Sequence, residues 1–167
     1  MTIPTLLQKP INQMSRFLIY NPVSTNRYNM LDLFNSKYAG FMIARPIQGN
    51  GEDALFVDLL VVQQQRVGIG TKFIEFAKNL SKKLGCEGRI LLEADKTVYD
   101  PHNPPHIFYR KNGFTCDDKK MLKKIDKCIK RNKQLNYLKT PSLVMYYPEK
   151  AKLDAGMWCK IKGLFRK

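Results

Sequence analysis

From Leu55 to Val62 the chain is apolar except for Asp58, which is too apolar for a strand with one wet face. It predicts a central strand buried on both sides. A glycine-bearing turn follows, Gln65-Arg66-Val67-Gly68-Ile69-Gly70-Thr71, and then an amphipathic stretch. Thr71 to Leu84 sets Phe73, Phe76, Ala77, Leu80 and Leu84 on one helical face, and Gly85 stands where a left-handed cap ends a helix. Arg89 to Ala94 is the next strand. Two strands separated by one helix run parallel through a right-handed crossover, so the chain is α/β with a parallel pair at the centre of its sheet.

The flanking segments read as simpler pieces. Ser15 to Tyr20 is a first strand, and Tyr28 to Phe34 with Tyr38 to Arg45 forms a hairpin through Asn35-Ser36-Lys37. Gly49-Asn50-Gly51 breaks the chain within the turn Pro46 to Asp53. Asn103 before Pro104 has the form of a helix start, and that short helix stops at Gly113. After a brief strand at Phe114 to Cys116, a longer helix from Asp117 to Leu138 turns Met121, Leu122, Ile125 and Ile129 inward and its lysines outward. Ser142 to Tyr147 is the last strand. Residues 1–148 make one domain, and residues 149–167 form a basic amphipathic tail. In the tail Leu153, Met157, Ile161 and Leu164 share a helical register with Trp158 close by. Such a tail docks on its own domain, seals a homodimer or lies on a lipid surface.

At 167 residues the chain is long enough for one core and short for two. No apolar run approaches the roughly 20 residues of a membrane span, and the N-terminus lacks the pattern of a signal peptide, so a cytoplasmic protein is expected. Cys86, Cys116, Cys128 and Cys159 lie far apart without metal-ligand spacing; free thiols and no metal are expected. His102 and His106 read as loop histidines. The formal net charge is +15, from 29 Lys and Arg against 14 Asp and Glu. A surplus of this size attracts polyanions: RNA, a ribosome, a phosphate-bearing cofactor or an anionic membrane. The plainer reading is a set of solvated lysine-rich helix faces.

Glycines at Gly68 and Gly70 let the main chain approach a ligand without an intervening Cβ. The first turn of the following helix then aims free N–H groups and a positive dipole end at it, which suits a phosphate-bearing cofactor. A second element, Phe108-Tyr109-Arg110-Lys111-Asn112-Gly113-Phe114, follows one strand and one loop later. Together these resemble the GNAT superfamily of acetyl-CoA-dependent N-acetyltransferases. Gln65, Gly68 and Gly70 match its Gln/Arg-x-x-Gly-x-Gly pyrophosphate loop. Phe108, Tyr109, Gly113 and Phe114 match its Phe-Tyr-x-x-x-Gly-Phe element. The resemblance covers residues 54–116.

The resemblance implies a mixed central sheet of six to seven strands flanked by helices, with acetyl-CoA as cofactor and an amine as acceptor. The amides of Val67, Gly68, Ile69, Gly70 and Thr71 would take the pyrophosphate, with Arg66 adding a charged contact. Leu60, Val61 and Val62 would pair with the pantetheine arm, and Asn103 would touch the cofactor. Tyr109 holds the position of the acid that protonates the leaving thiolate. For the base, Asp58 comes first, as a carboxylate in an apolar strand, and Glu93 second; both can also be structural carboxylates paired to a cation. No cysteine stands at a position the family uses as nucleophile, so direct attack in a ternary complex is implied. The acceptor would be a protein or an aminoacyl-tRNA, and RNA or the ribosome a partner. A non-catalytic module that binds CoA or nucleic acid is the alternative. Two departures from the pattern stand out: the helical pair after the first strand is missing, and an extra helix precedes the last strand. That helix, or a second subunit, would replace the missing wall of the acceptor site.

Overall fold

The structure, a computed structural model, describes residues 16–22, 25–48, 52–95, 104–136 and 140–148. These hold β1 (Phe17–Tyr20), β2 (Arg27–Asp32), β3 (Lys37–Ile47), β4 (Ala54–Val62), α1 (Ile69–Lys83), β5 (Ile90–Ala94), α2 (His106–Lys111), α3 (Lys119–Lys130) and β6 (Leu143–Tyr147). The strands form one six-stranded sheet in the order β1-β2-β3-β4-β5-β6, with β4 and β5 parallel. Residues 21–26 between β1 and β2 leave no room for a helical pair, and α3 does precede the last strand, both as expected. The basic tail lies outside the described residues.

Two compact units divide the chain: residues 1–45 with 57–76, and residues 46–56 with 77–167. In the first, β1 pairs antiparallel with β2, Phe17 opposite Asp32 and Tyr20 opposite Asn29. β2 pairs antiparallel with β3, and the register slips so that Met30 faces Gly40 while Leu31 faces Tyr38. Ala39 is the extra residue of this bulge, and Gly40 beside it takes φ +150°. A Cβ on Gly40 would lie 2.3 Å from the Val61 carbonyl oxygen, so only glycine fits. At the strand ends Arg16 reaches Asp32 at 2.6 Å and holds its carboxyl below the usual carboxylate range.

β4 departs from the expectation of burial on both faces. Ala54 to Val57 are buried, Asp58 is exposed, and Leu59 to Val62 are only half-covered. α1 follows its hydrophobic period, burying Ile69, Phe73, Ile74 and Ala77. Its end is a Schellman cap: Gly85 at φ +79° donates to Lys82 O at 3.2 Å and Cys86 N–H donates to Ser81 O at 2.8 Å. The helix therefore stops at Lys83, and Leu84, expected on the inner face, is exposed.

In the second unit β5 pairs antiparallel with β6, Ile90 opposite Tyr147 and Ala94 opposite Leu143. Ile47, Ala54, Phe56 and Leu91 form a core covered by Val144 and Tyr146. The brief strand expected at Phe114 to Cys116 is a single bridge from Thr115 to Tyr146. Asp118 caps α3 by accepting the Met121 N–H at 2.9 Å, and the apolar face buries Met121 and Ile125 beside Leu135, Ile107 and Leu143. α3 is shorter than the expected span to Leu138. Asn132 takes φ +48°, donates to Ile129 O at 3.2 Å, and lets Lys133 N–H reach Cys128 O at 2.9 Å. That is a second Schellman cap with asparagine in the glycine position, a signal readable at Asn132 once it is sought.

Candidate cofactor loop and catalytic residues

Residues 63–68 are all exposed, and the chain then dives inward at buried Ile69 to begin α1. The first helical hydrogen bond runs from Lys72 N–H to Gly68 O at 3.1 Å. The amides of Ile69, Gly70 and Thr71 thus precede any intrahelical acceptor. The first turn carries no acidic side chain to compensate the positive end of this 15-residue helix. Two consecutive features bend the loop: Arg66 holds φ +64°, rare for a bulky side chain, and Gly68 holds φ +85°. Left-handed residues next to right-handed ones gather N–H groups into an anion-binding concavity. A Cβ added to Gly68 meets nothing within 4 Å, so glycine answers here to conformation and to open space above the loop, not to internal packing. Gln65, Arg66, Val67, Gly68, Ile69, Gly70 and Thr71 are thereby brought together as one surface.

The preceding strand carries an irregularity. Leu55 N–H donates to Arg89 O at 2.9 Å, whereas Gln63 N–H donates to Ala39 O at 2.9 Å, on the opposite side. Residues of equal parity on a regular strand direct their amides to the same neighbour, so the alternation breaks once between them. A break of this kind leaves an amide without its ladder partner. Leu60, Val61 and Val62 lie in this stretch, half-exposed.

Tyr109 sits on α2, 8% exposed, its ring 5.1 Å from Phe108 and 5.7 Å from Phe114 between centroids. Burial pushes its phenol up to about 12. Glu93 on β5 is half-buried, and its carboxyl is pushed up by burial first and then by the charge of Asp95. Asp58 differs from expectation: it is exposed and bound to Arg45 Nε at 3.2 Å, because β4 leaves that face uncovered. An exposed ion pair needs no burial compensation and reports little by itself.

Asn103 falls outside the described residues, and the helix it was expected to cap begins later, at His106, with Pro105 at the cap position. Sequence reasoning also misplaced His106, which is fully buried. Its Nε2 lies 2.9 Å from Pro141 O, while its Nδ1 has no partner among the described residues. Burial lowers its pKa, opposed by the Pro141 carbonyl and Asp95, so it is a neutral structural histidine. Cys86 and Cys116 are buried free thiols whose pKa burial raises, so both stay protonated and unreactive. Cys159 is outside the described residues. Among the described residues no group of His, Cys, Asp and Glu could hold a metal, and no helix is long and apolar enough to cross a membrane.

No protein-family model and no curated protein matches this sequence. Solved structures do. The NatB acetyltransferase complex bound to a bisubstrate inhibitor matches with a TM-score of 0.50 at 17% identity, over 77% of this chain and 71% of that one. The chain has the GNAT acetyltransferase fold. Naa50 of Arabidopsis thaliana, in complex with the bisubstrate analogue CoA-Ac-MVNAL, is similar at TM-score 0.46 and 17% identity, over 72% of this chain and 70% of that one. The PaiA N-acetyltransferase of Thermoplasma acidophilum, in complex with coenzyme A, has the same score and identity over 72% of this chain and 58% of that one. Among the described residues no helix lies between β1 and β2, and α3 lies between α2 and β6.

Proposed function

We propose that the protein is an acetyl-CoA-dependent N-acetyltransferase that moves the acetyl group to a primary amine in a ternary complex. The loop from Gln65 to Thr71 carries this reading, because its exposed main chain and the uncompensated start of α1 suit a diphosphate. Acetyl-CoA supplies the activated thioester. Val67, Gly68, Ile69, Gly70 and Thr71 hold its diphosphate through their amides, with Arg66 adding a charged contact. Leu60, Val61 and Val62 pair with the pantetheine arm, and the amide freed where β4 breaks its alternation polarises the carbonyl. Asn103 adds a contact to the cofactor. Tyr109 donates toward the leaving thiolate.

The amine must lose a proton, and the proton route favours Glu93 over Asp58. A base works best with a pKa near the operating pH, and the Glu93 carboxyl is raised toward it, whereas Asp58 is already neutralised by Arg45. The pH dependence of kcat/KM should therefore rise through an apparent pKa above the ordinary carboxylate range. Glu93→Gln should abolish that limb. The same raised pKa weakens the fold as pH rises through it, so Glu93→Gln should gain stability relative to wild type at neutral pH and not at low pH. A limb unmoved by the substitution would assign the base elsewhere.

The whole reading is tested by CoA itself. CoA should raise the thermal midpoint of the purified protein, and acetyl-CoA with an amine should release free CoA thiol. Gly68→Val places a β-branched side chain at positive φ and projects it over the loop, so CoA affinity should fall about ten-fold or more. Since nothing inside the protein contacts that Cβ, the fold should survive. A wild-type protein neither stabilised by CoA nor able to release its thiol would refute the assignment.

A further inference from the structure

α3 is built from Lys119-Lys120-Met121-Leu122-Lys123-Lys124-Ile125-Asp126-Lys127-Cys128-Ile129-Lys130. At about 100° per residue its six lysines fall within a single arc of about 140°, along about 18 Å of axis. Arg131 at the C-terminal end extends the same face. The opposite arc is the apolar seam of Met121 and Ile125.

Among the described residues Asp126 is the one carboxylate that borders the lysines, and no ion pair neutralises this face. Three carboxylates lie on or beside the helix, and each is engaged elsewhere. Asp117 accepts the Tyr146 hydroxyl at 2.8 Å, Asp118 caps the helix, and Asp126 accepts Arg110 Nε at 2.8 Å. None of the α3 lysines forms an ion pair among the described residues. Lysines three and four apart are neighbours on a helix, so this face repels itself. Lys123, Lys127, Lys130 and Arg131 line a shallow depression with Asp126.

We propose that the outer face of α3 docks the phosphate backbone of an RNA duplex. Lysines three and four positions apart sit roughly 5–6 Å from one another, in a row that can follow a line of phosphates. α3 has no aromatic residue on which unpaired bases could stack, which argues against single strands. It also has no Asn, Gln, Ser or Thr, so base-edge reading in a DNA major groove would fall to its lysines alone, at guanine. The dominant mode left to this face is contact with backbone charge, which duplex RNA and duplex DNA both offer. The choice of RNA over DNA rests on the acetyl-transfer reading, since an aminoacyl ester at an RNA 3′ end supplies a primary amine next to a duplex and DNA supplies none.

The experiment titrates a labelled 20-base-pair RNA duplex by fluorescence anisotropy, at KCl from about 50 to about 200 mM. Wild type is compared with the variant Lys120→Gln, Lys123→Gln, Lys127→Gln, Lys130→Gln, in which glutamine preserves helix propensity. The expected result is at least a ten-fold loss of affinity near 100 mM salt, with the slope of log affinity against log salt reduced by about 3. The CoA-induced thermal shift should be the same in both proteins, showing an intact fold. An unchanged slope, equal binding of a DNA duplex, or a lysine-dependent affinity for phosphatidylserine vesicles exceeding that for RNA would overturn the proposal. Lysine-dependent RNA binding by a protein that ignores CoA would uphold the docking surface and refute the acetyl-transfer reading alone.

Discussion

Tyr109→Phe is expected to slow acetyl transfer by about 100-fold or more while leaving CoA binding nearly unchanged, since removal of a positioned acid typically costs 10²–10⁴ in rate. The substitution deletes one oxygen and nothing else. The ring keeps its place against Phe108 and Phe114. Stability should change by no more than about 1.5 kcal/mol, the net worth of one hydrogen bond. With its phenol pushed up to about 12, Tyr109 remains a proton donor throughout the workable pH range. The wild-type rate should show no falling limb from this residue below about pH 11. Steady-state kinetics decides the matter, and a phenylalanine enzyme with wild-type kcat would leave Tyr109 as a packing residue.

The second large effect is on folding. Gly40→Ala is expected to destabilise the protein by roughly 2–6 kcal/mol, combining the strain of a side chain at this φ with the separation of two strands. Its Cβ would press on a backbone oxygen 2.3 Å away, and backbone in a paired strand has no rotamer to change. Against a usual stability of about 5–15 kcal/mol, this takes the chain close to unfolding. Urea denaturation of the two proteins measures it. A loss under about 1 kcal/mol would mean that β3 and β4 can part there at little cost.

Much of this was legible from local chemistry. The Leu55 to Val62 strand, the diglycine turn and the helix ending at Gly85 each follow from short-range rules, and the structure places all three within a residue or two of expectation. The length of α3 was legible in principle, but asparagine at a left-handed cap is a weaker signal than glycine and was outweighed by the continuing lysine pattern. The exposure of Asp58 was not legible. A carboxylate within an apolar run looks buried until one knows that half of β4 is left partly uncovered and that Arg45 on β3 lies within reach. The burial of His106 was hidden for a similar reason: its partner, the Pro141 carbonyl, lies 35 residues away.

The amino-acid order alone determined the alternation of strand, phosphate-type turn and helix, the inward stripe of each helix and the charge it turns to solvent. These depend on hydrophobic period and on residues that accept or refuse positive φ, and both are properties of a few neighbours in the chain. Tertiary structure alone decided which carboxylate is neutralised, which neighbour each end of β4 bonds to, and why Gly40 admits no side chain. Those outcomes are set by distances of a few ångströms between residues far apart in sequence, and packing alone sets such distances.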